Sequence, residues 1–103
     1  MASKVIGEWE VTTKSPLGTT VAIWNITEEA DGSYKGTILS VADNEKGDFV
    51  INAIEGDNFD MNTKLKTPFG MIDFNMKGTA TDTEITGEDK MKLGKSKFTG
   101  VRK

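Results

Sequence analysis

The sequence predicts an all-β fold: an eight-stranded antiparallel up-and-down barrel with an internal four-strand pseudo-repeat. Three observations predict it. The two prolines of the chain sit in related stretches, Lys14-Ser15-Pro16-Leu17-Gly18 and Lys66-Thr67-Pro68-Phe69-Gly70, offset by 68 − 16 = 52 of the 103 residues. Their surroundings match too. Trp9 and Val11 map onto Met61 and Thr63, and Ala22 and Trp24 onto Phe74 and Met76; Tyr34-Lys35-Gly36 maps onto Ile85-Thr86-Gly87 after a one-residue deletion, and Phe49 onto Phe98 after two more. The second observation is period: apolar and polar residues alternate in short runs, as a half-buried strand requires. The third is spacing. Eight such runs follow one another at roughly 10–13 residues, joined by hairpin-type turns. An open meander would leave two edges exposed, and closure into a barrel removes both. The pseudo-repeats run over about 7–54 and 59–102 of a single domain.

Each element has its own signal. Glu8 to Lys14 alternates Trp9, Val11 and Thr13 against Glu8, Glu10, Thr12 and Lys14. Pro16-Leu17-Gly18 is a turn, with proline presetting φ and glycine tolerating φ > 0. Thr20 to Thr27 forms the second strand, and the loop from Glu28 carries Asp31-Gly32, a hairpin signal. Ser33 to Ser40 is the third strand, Val41 to Gly47 a polar loop, and Asp48 to Ile54 the fourth strand. The second half repeats this order with Phe59 to Lys66, the Pro68 turn, Met71 to Lys77, Glu84 to Met91 and Lys95 to Arg102. The two proline turns are expected on one rim, with Leu17 and Phe69 at their apices.

Composition narrows the chemistry. The net charge is −3 with both signs interspersed, so no basic stripe exists to neutralise phosphates. The chain has no cysteine and no histidine, which removes disulfides, thiolate nucleophiles, imidazole bases and the usual zinc or haem ligands. No Asp-rich calcium loop is present, and neither metal nor cofactor is expected. No run approaches the ~20 apolar residues of a membrane span, and the first residues lack the apolar core of a signal peptide. A cytoplasmic protein is the expectation. Eleven glycines and many threonines argue against helices.

One face of each strand is apolar enough to point inward. From the first half these are Trp9, Val11, Ala22, Trp24, Ile26, Tyr34, Ile38, Phe49, Ile51 and Ala53. The second half adds Phe59, Met61, Leu65, Ile72, Phe74, Met76, Ile85, Met91 and Phe98. Gly36 and Gly87 fall on the same face, where glycine lets a strand bend or a bulky neighbour cross it. An eight-stranded barrel is either just filled by its side chains or holds one small ligand. Asp89 is the exception in the pattern. Alternation from Ile85 and Gly87 points it inward, where a carboxylate has a raised pKa or a partner such as Arg102 or Tyr34. The alternative is a local irregularity that turns it to solvent. Thr13, Ser40 and Thr63 are further inward polar positions.

Gly7-Glu8-Trp9 opens the first strand as Gly-x-Trp, and Phe98-Thr99-Gly100-Val101-Arg102 closes the last. This pattern resembles the calycin superfamily of lipocalins, fatty-acid-binding proteins and avidin-like proteins, and is similar to small bacterial domains of unassigned role. The resemblance implies that Trp9 and Arg102 form a structural pair closing one barrel end. A guanidinium over an indole gains a cation–π contact, and its donors satisfy end-of-barrel carbonyls. The chain is shorter than those families and lacks a helical lid, which argues against a spacious lipid cavity.

Three functions are open at this point. One is a small lipocalin-like barrel that binds a small hydrophobic or aromatic molecule through Trp24, Tyr34, Phe49, Met61, Phe74, Met76 and Asp89. Another is a ligand-free oligomeric structural or accessory domain. A third is a cofactor-free isomerase or cyclase using Asp89 or Tyr34, although no catalytic residue can be assigned and an enzyme is the lesser expectation. Assembly has its own signal. Val21, Ile23, Leu39, Val50 and Ile54 are expected on the outside of the second to fourth strands, as an apolar face suited to a homodimer.

Overall fold

A computed structural model describes residues 4–15, 18–41, 44–67, 70–91 and 94–103. The strands are β1 (Gly7–Ser15), β2 (Gly18–Glu28), β3 (Tyr34–Ser40), β4 (Glu45–Glu55), β5 (Asn58–Thr67), β6 (Gly70–Ala80), β7 (Glu84–Met91) and β8 (Gly94–Arg102). Each pairs antiparallel with the next, and β8 returns to β1, so the sheet is a closed eight-stranded barrel. No helix of the described residues is long and apolar enough to cross a membrane. Most strands are longer than their alternating runs. β4 is the clearest case: Glu45, Lys46 and Gly47 lie in the expected polar loop, yet they pair with Ser40, Leu39 and Ile38. Main-chain pairing continues past the last apolar side chain, where the sequence pattern has nothing to show.

The two halves keep the same hairpin register. Trp9 faces Trp24 and the first hairpin closes at Ser15↔Gly18. Met61 faces Met76 and the β5–β6 hairpin closes at Thr67↔Gly70. A meander places both closures on one rim. Pro16, Leu17, Pro68 and Phe69 lie outside the described residues, as does the side chain of Leu65.

One stretch departs from the expected phase. The β4–β5 register shifts between Ile51 and Ala53, leaving Asn52 as an extra residue. A bulge of this kind flips every side chain after it. Ala53 therefore pairs with Asp60 and is exposed, while Ile54 pairs with Phe59 and packs against the core. The expectation of Ala53 inside and Ile54 outside is thus reversed. Outside the bulge, the Asn52 carboxamide donates to Asp60 Oδ1 at 3.2 Å and Asn62 Oδ1 at 3.0 Å, which ties the extra residue to the neighbouring strand.

The middle of the barrel is filled by rings. Trp24 meets Phe49 edge-on at 5.1 Å between centroids, Phe59 at 6.2 Å and Phe98 at 5.0 Å. Each such pair contributes about 0.5–1.5 kcal/mol beyond its buried area. Two inward glycines make room for the rings. A Cβ on Gly36 would stand 3.0 Å from Phe49 Cδ2, and one on Gly87 only 2.7 Å from Phe98 Cζ. Both phenylalanines lie on the strand following the glycine, directly across the ladder.

One barrel end is closed by the chain termini. Trp9 and Arg102 are paired residues of β1 and β8, and the guanidinium carbon lies 4.2 Å from the indole centroid. The arginine donates to the carbonyls of Asp82 (2.9 Å), Ile6 (2.9 Å) and Lys4 (2.8 Å). The Trp9 indole N–H donates to the Val5 carbonyl at 2.9 Å, and Val5 is fully buried. Gly7 is required for this closure: its φ is +137°, and a Cβ there would strike Arg102.

Candidate functional site

The interior polar site is built by two adjacent strands. Along β7, Ile85 and Asp89 are buried and Gly87 and Met91 half-buried, whereas Glu84, Thr86, Glu88 and Lys90 are exposed. Along β8, Ser96, Phe98 and Gly100 are buried, whereas Lys95, Lys97, Thr99 and Val101 are exposed. The β7–β8 hairpin closes at Met91↔Gly94, so counting back two residues sets Asp89 opposite Ser96. Of the two orientations open from sequence, Asp89 takes the inward one.

These two side chains are exceptions to the rule that buried polar groups are paired. Asp89 is 2% exposed and Ser96 5%. Among the described residues, Asp89 Oδ1 and Ser96 Oγ have no hydrogen-bond partner. Burial alone pushes the Asp89 carboxyl up to about 7. Neither partner expected for it is within reach along the barrel. Arg102 spends its donors on carbonyls at the closed end, and Tyr34 stands half-buried at the start of β3 on that same end. Asp89 lies one cross-strand step nearer the β7–β8 hairpin than Phe98, the β8 member of the ring layer.

Its surroundings are apolar. A cross-strand row runs Ile51, Met61, Met76, Asp89 and Ser96 from β4 to β8. A second row, one step nearer the rim, runs Phe49, Thr63, Phe74 and Met91. Thr63 is satisfied by donating to the Asp48 carbonyl at 3.0 Å, so it is not a third orphan. Thr13, Ala22, Ser40 and Met91 are half-buried nearer the same rim.

Of the residues expected to face a ligand, Phe49, Met61, Phe74, Met76 and Asp89 thus share two neighbouring rows, and Trp24 packs edge-on against Phe49. Tyr34 is apart from them. Ser96 is the residue that sequence reasoning missed. Its signal was present: it is two positions before Phe98 and five after Met91, and alternation together with the tight hairpin places it beside Asp89. Among the described residues, no three of Asp, Glu, His or Cys come together as metal ligands.

Fold and site together define a small closed up-and-down β-barrel with one end sealed by an Arg–Trp pair and a polar couple inside an apolar wall. The chain is similar in fold to two solved β-barrels. A redesigned β-barrel, b11L5F_LGL, superposes with a TM-score of 0.74 at 12% identity, over 97% of this chain and 91% of that one. A redesigned β-barrel, mFAP1, bound to DFHBI, superposes with a TM-score of 0.69 at 18% identity, over 97% and 95%. At these identities the likeness is one of fold. No protein-family model and no curated protein matches the chain.

Proposed function

We propose that this chain is a binding barrel that holds a small, flat apolar or aromatic molecule between its ring layer and the rim of the β1–β2 and β5–β6 hairpins. The observation that carries the reading is the pair of buried, unpartnered polar atoms, Asp89 Oδ1 and Ser96 Oγ, in an otherwise apolar wall. Leaving such a group unpaired costs about 1–3 kcal/mol, a cost that a bound polar group removes. Pockets for small molecules typically combine apolar walls with a few convergent polar groups. The likeness to a barrel bound to DFHBI, a small dye, is consistent with this use of the fold.

Native mass spectrometry of protein purified from its source tests the reading. The expected result is an adduct that is lost on unfolding, or, for protein that is stripped, saturable changes in backbone amide shifts around Asp89 and Phe98 on titration with small aromatic compounds. Bare protein mass together with no saturable shift from any compound would leave the interior as packing alone.

A further inference from the structure

The same two atoms say more about the guest than its size. Asp89 and Ser96 are directly opposed on neighbouring strands, so their Cβ atoms are separated by about 4.5–5.5 Å. Both orphaned atoms face the interior, and they do not satisfy each other. Above its raised pKa of about 7 the Asp89 carboxylate only accepts, whereas a hydroxyl both donates and accepts. Two of the described side chains near them have nothing to offer. Thr63 is bonded to the Asp48 carbonyl, and Met76, the β6 neighbour of Asp89, offers no donor. The charged residues of the two strands, Glu88, Lys90, Lys95 and Lys97, are exposed on the outer face.

We infer that Asp89 and Ser96 together select, among small flat molecules, those that present an N–H donor at one edge, with azoles and aromatic amines as the chemical class. This rests on the interior-binding reading above. The N–H donates to Asp89 Oδ1. Ser96 Oγ donates to a ring nitrogen next to it, or accepts a second N–H. The apolar body of the guest lies on Met76, Phe74 and the rim side of Phe98. Where Asp89 is ionised, above about pH 7, a guest carrying its own carboxylate is rejected, because two like charges would share one desolvated wall. A hydrocarbon of the same shape leaves both polar atoms as they were.

Three bicyclic compounds of nearly one shape separate these cases: indene with no donor, indole with one N–H, and benzimidazole with an N–H and a ring acceptor. Benzoate serves as the anionic probe. Binding is read above pH 7, where Asp89 is ionised, from backbone amide shifts in wild type, Asp89→Leu and Ser96→Ala. In wild type, indole and benzimidazole are expected to bind about tenfold or more tightly than indene, and benzoate not at all. In Asp89→Leu the preference over indene is lost. Ser96→Ala lowers benzimidazole to the level of indole and keeps the fold readable should the leucine variant repack. Equal binding of indene and indole by wild type overturns the selection and leaves interior binding standing. So does an indole preference that survives Asp89→Leu. No saturable shift from any of the four probes overturns the selection, and together with a bare native mass it removes the interior-binding reading as well.

Discussion

At the scale of single residues, the unpaired carboxyl of Asp89 couples the fold to pH. Its pKa is raised from 3.8 to about 7 by burial. The unfolded chain therefore binds fewer protons than the native one between about pH 4 and pH 7, and unfolding free energy must fall as pH rises through that window. The fall is complete above pH 7 and amounts to at most about 4 kcal/mol, from the size of the shift. Denaturant titrations from pH 5 to pH 8 should show wild type losing stability, whereas Asp89→Leu should be flatter over the same range and more stable at pH 8. A wild type as stable at pH 8 as at pH 5 would mean that the carboxyl is ionised and paired. This residue was half legible in the sequence. Alternation placed it inside, but a single shifted residue would have turned it out, and only the ladder to β8 decides. Its neighbour Ser96 carries no hydrophobic signal of its own, so only its spacing from Phe98 and Met91 marks it as an inward position.

At the scale of elements, strand order and closure were readable because the alternation is strong and the two halves repeat. What was not readable was phase after a bulge. Ile51, Asn52, Ala53 and Ile54 hold three apolar residues in four, so neither face is favoured by composition, and the extra residue is placed by pairing with β5. Glycine positions were legible as places of close approach, but the structure separates them by what they meet. At Gly87 an added Cβ would stand 2.1 Å from the Lys77 carbonyl oxygen, which is backbone of the neighbouring strand. At Gly36 the nearest atom is 3.0 Å away on the Phe49 ring, which can turn. Gly87→Ala should therefore cost about 3 kcal/mol, and Gly36→Ala about 1 kcal/mol, on the scale of overpacked cores. Thermal unfolding of the two variants tests the ranking, and a Gly36→Ala protein less stable than Gly87→Ala would reverse it.

At the scale of the whole molecule, closure and association set the remaining expectations. Truncation after Gly100 deletes the Trp9↔Arg102 and Glu10↔Val101 pairings and every bond of the arginine to the carbonyls of the closed end. A loss of about 3 kcal/mol or more follows from one cation–π contact and several charge-assisted hydrogen bonds. A truncated chain with an unchanged melting temperature would show that the seam contributes nothing. The outer face behaves differently from the closed end. Of the residues expected to form an apolar dimer face, Ile54 is inside and Val50, 64% exposed, stands apart, because Lys46 and Asp48 intervene between it and Leu39. Val21, Ile23 and Leu39 are half-buried, and Val41, whose N–H donates to the Val21 carbonyl at 3.0 Å, extends them. Ile23 and Leu39 also line an outer groove of about 470 Å³ beside Glu8, Lys46 and Asp48. Four aliphatic side chains fall well short of the ~800 Å² per partner that stable interfaces bury. Self-association through this face is therefore expected to be weak. Sedimentation should give a monomer at about 10 µM, with dimer growing toward millimolar concentrations and disappearing in Ile23→Lys, since a desolvated ammonium opposite its own copy opposes pairing. A dimer already complete at 10 µM, or one that Ile23→Lys leaves intact, would place the interface on another surface.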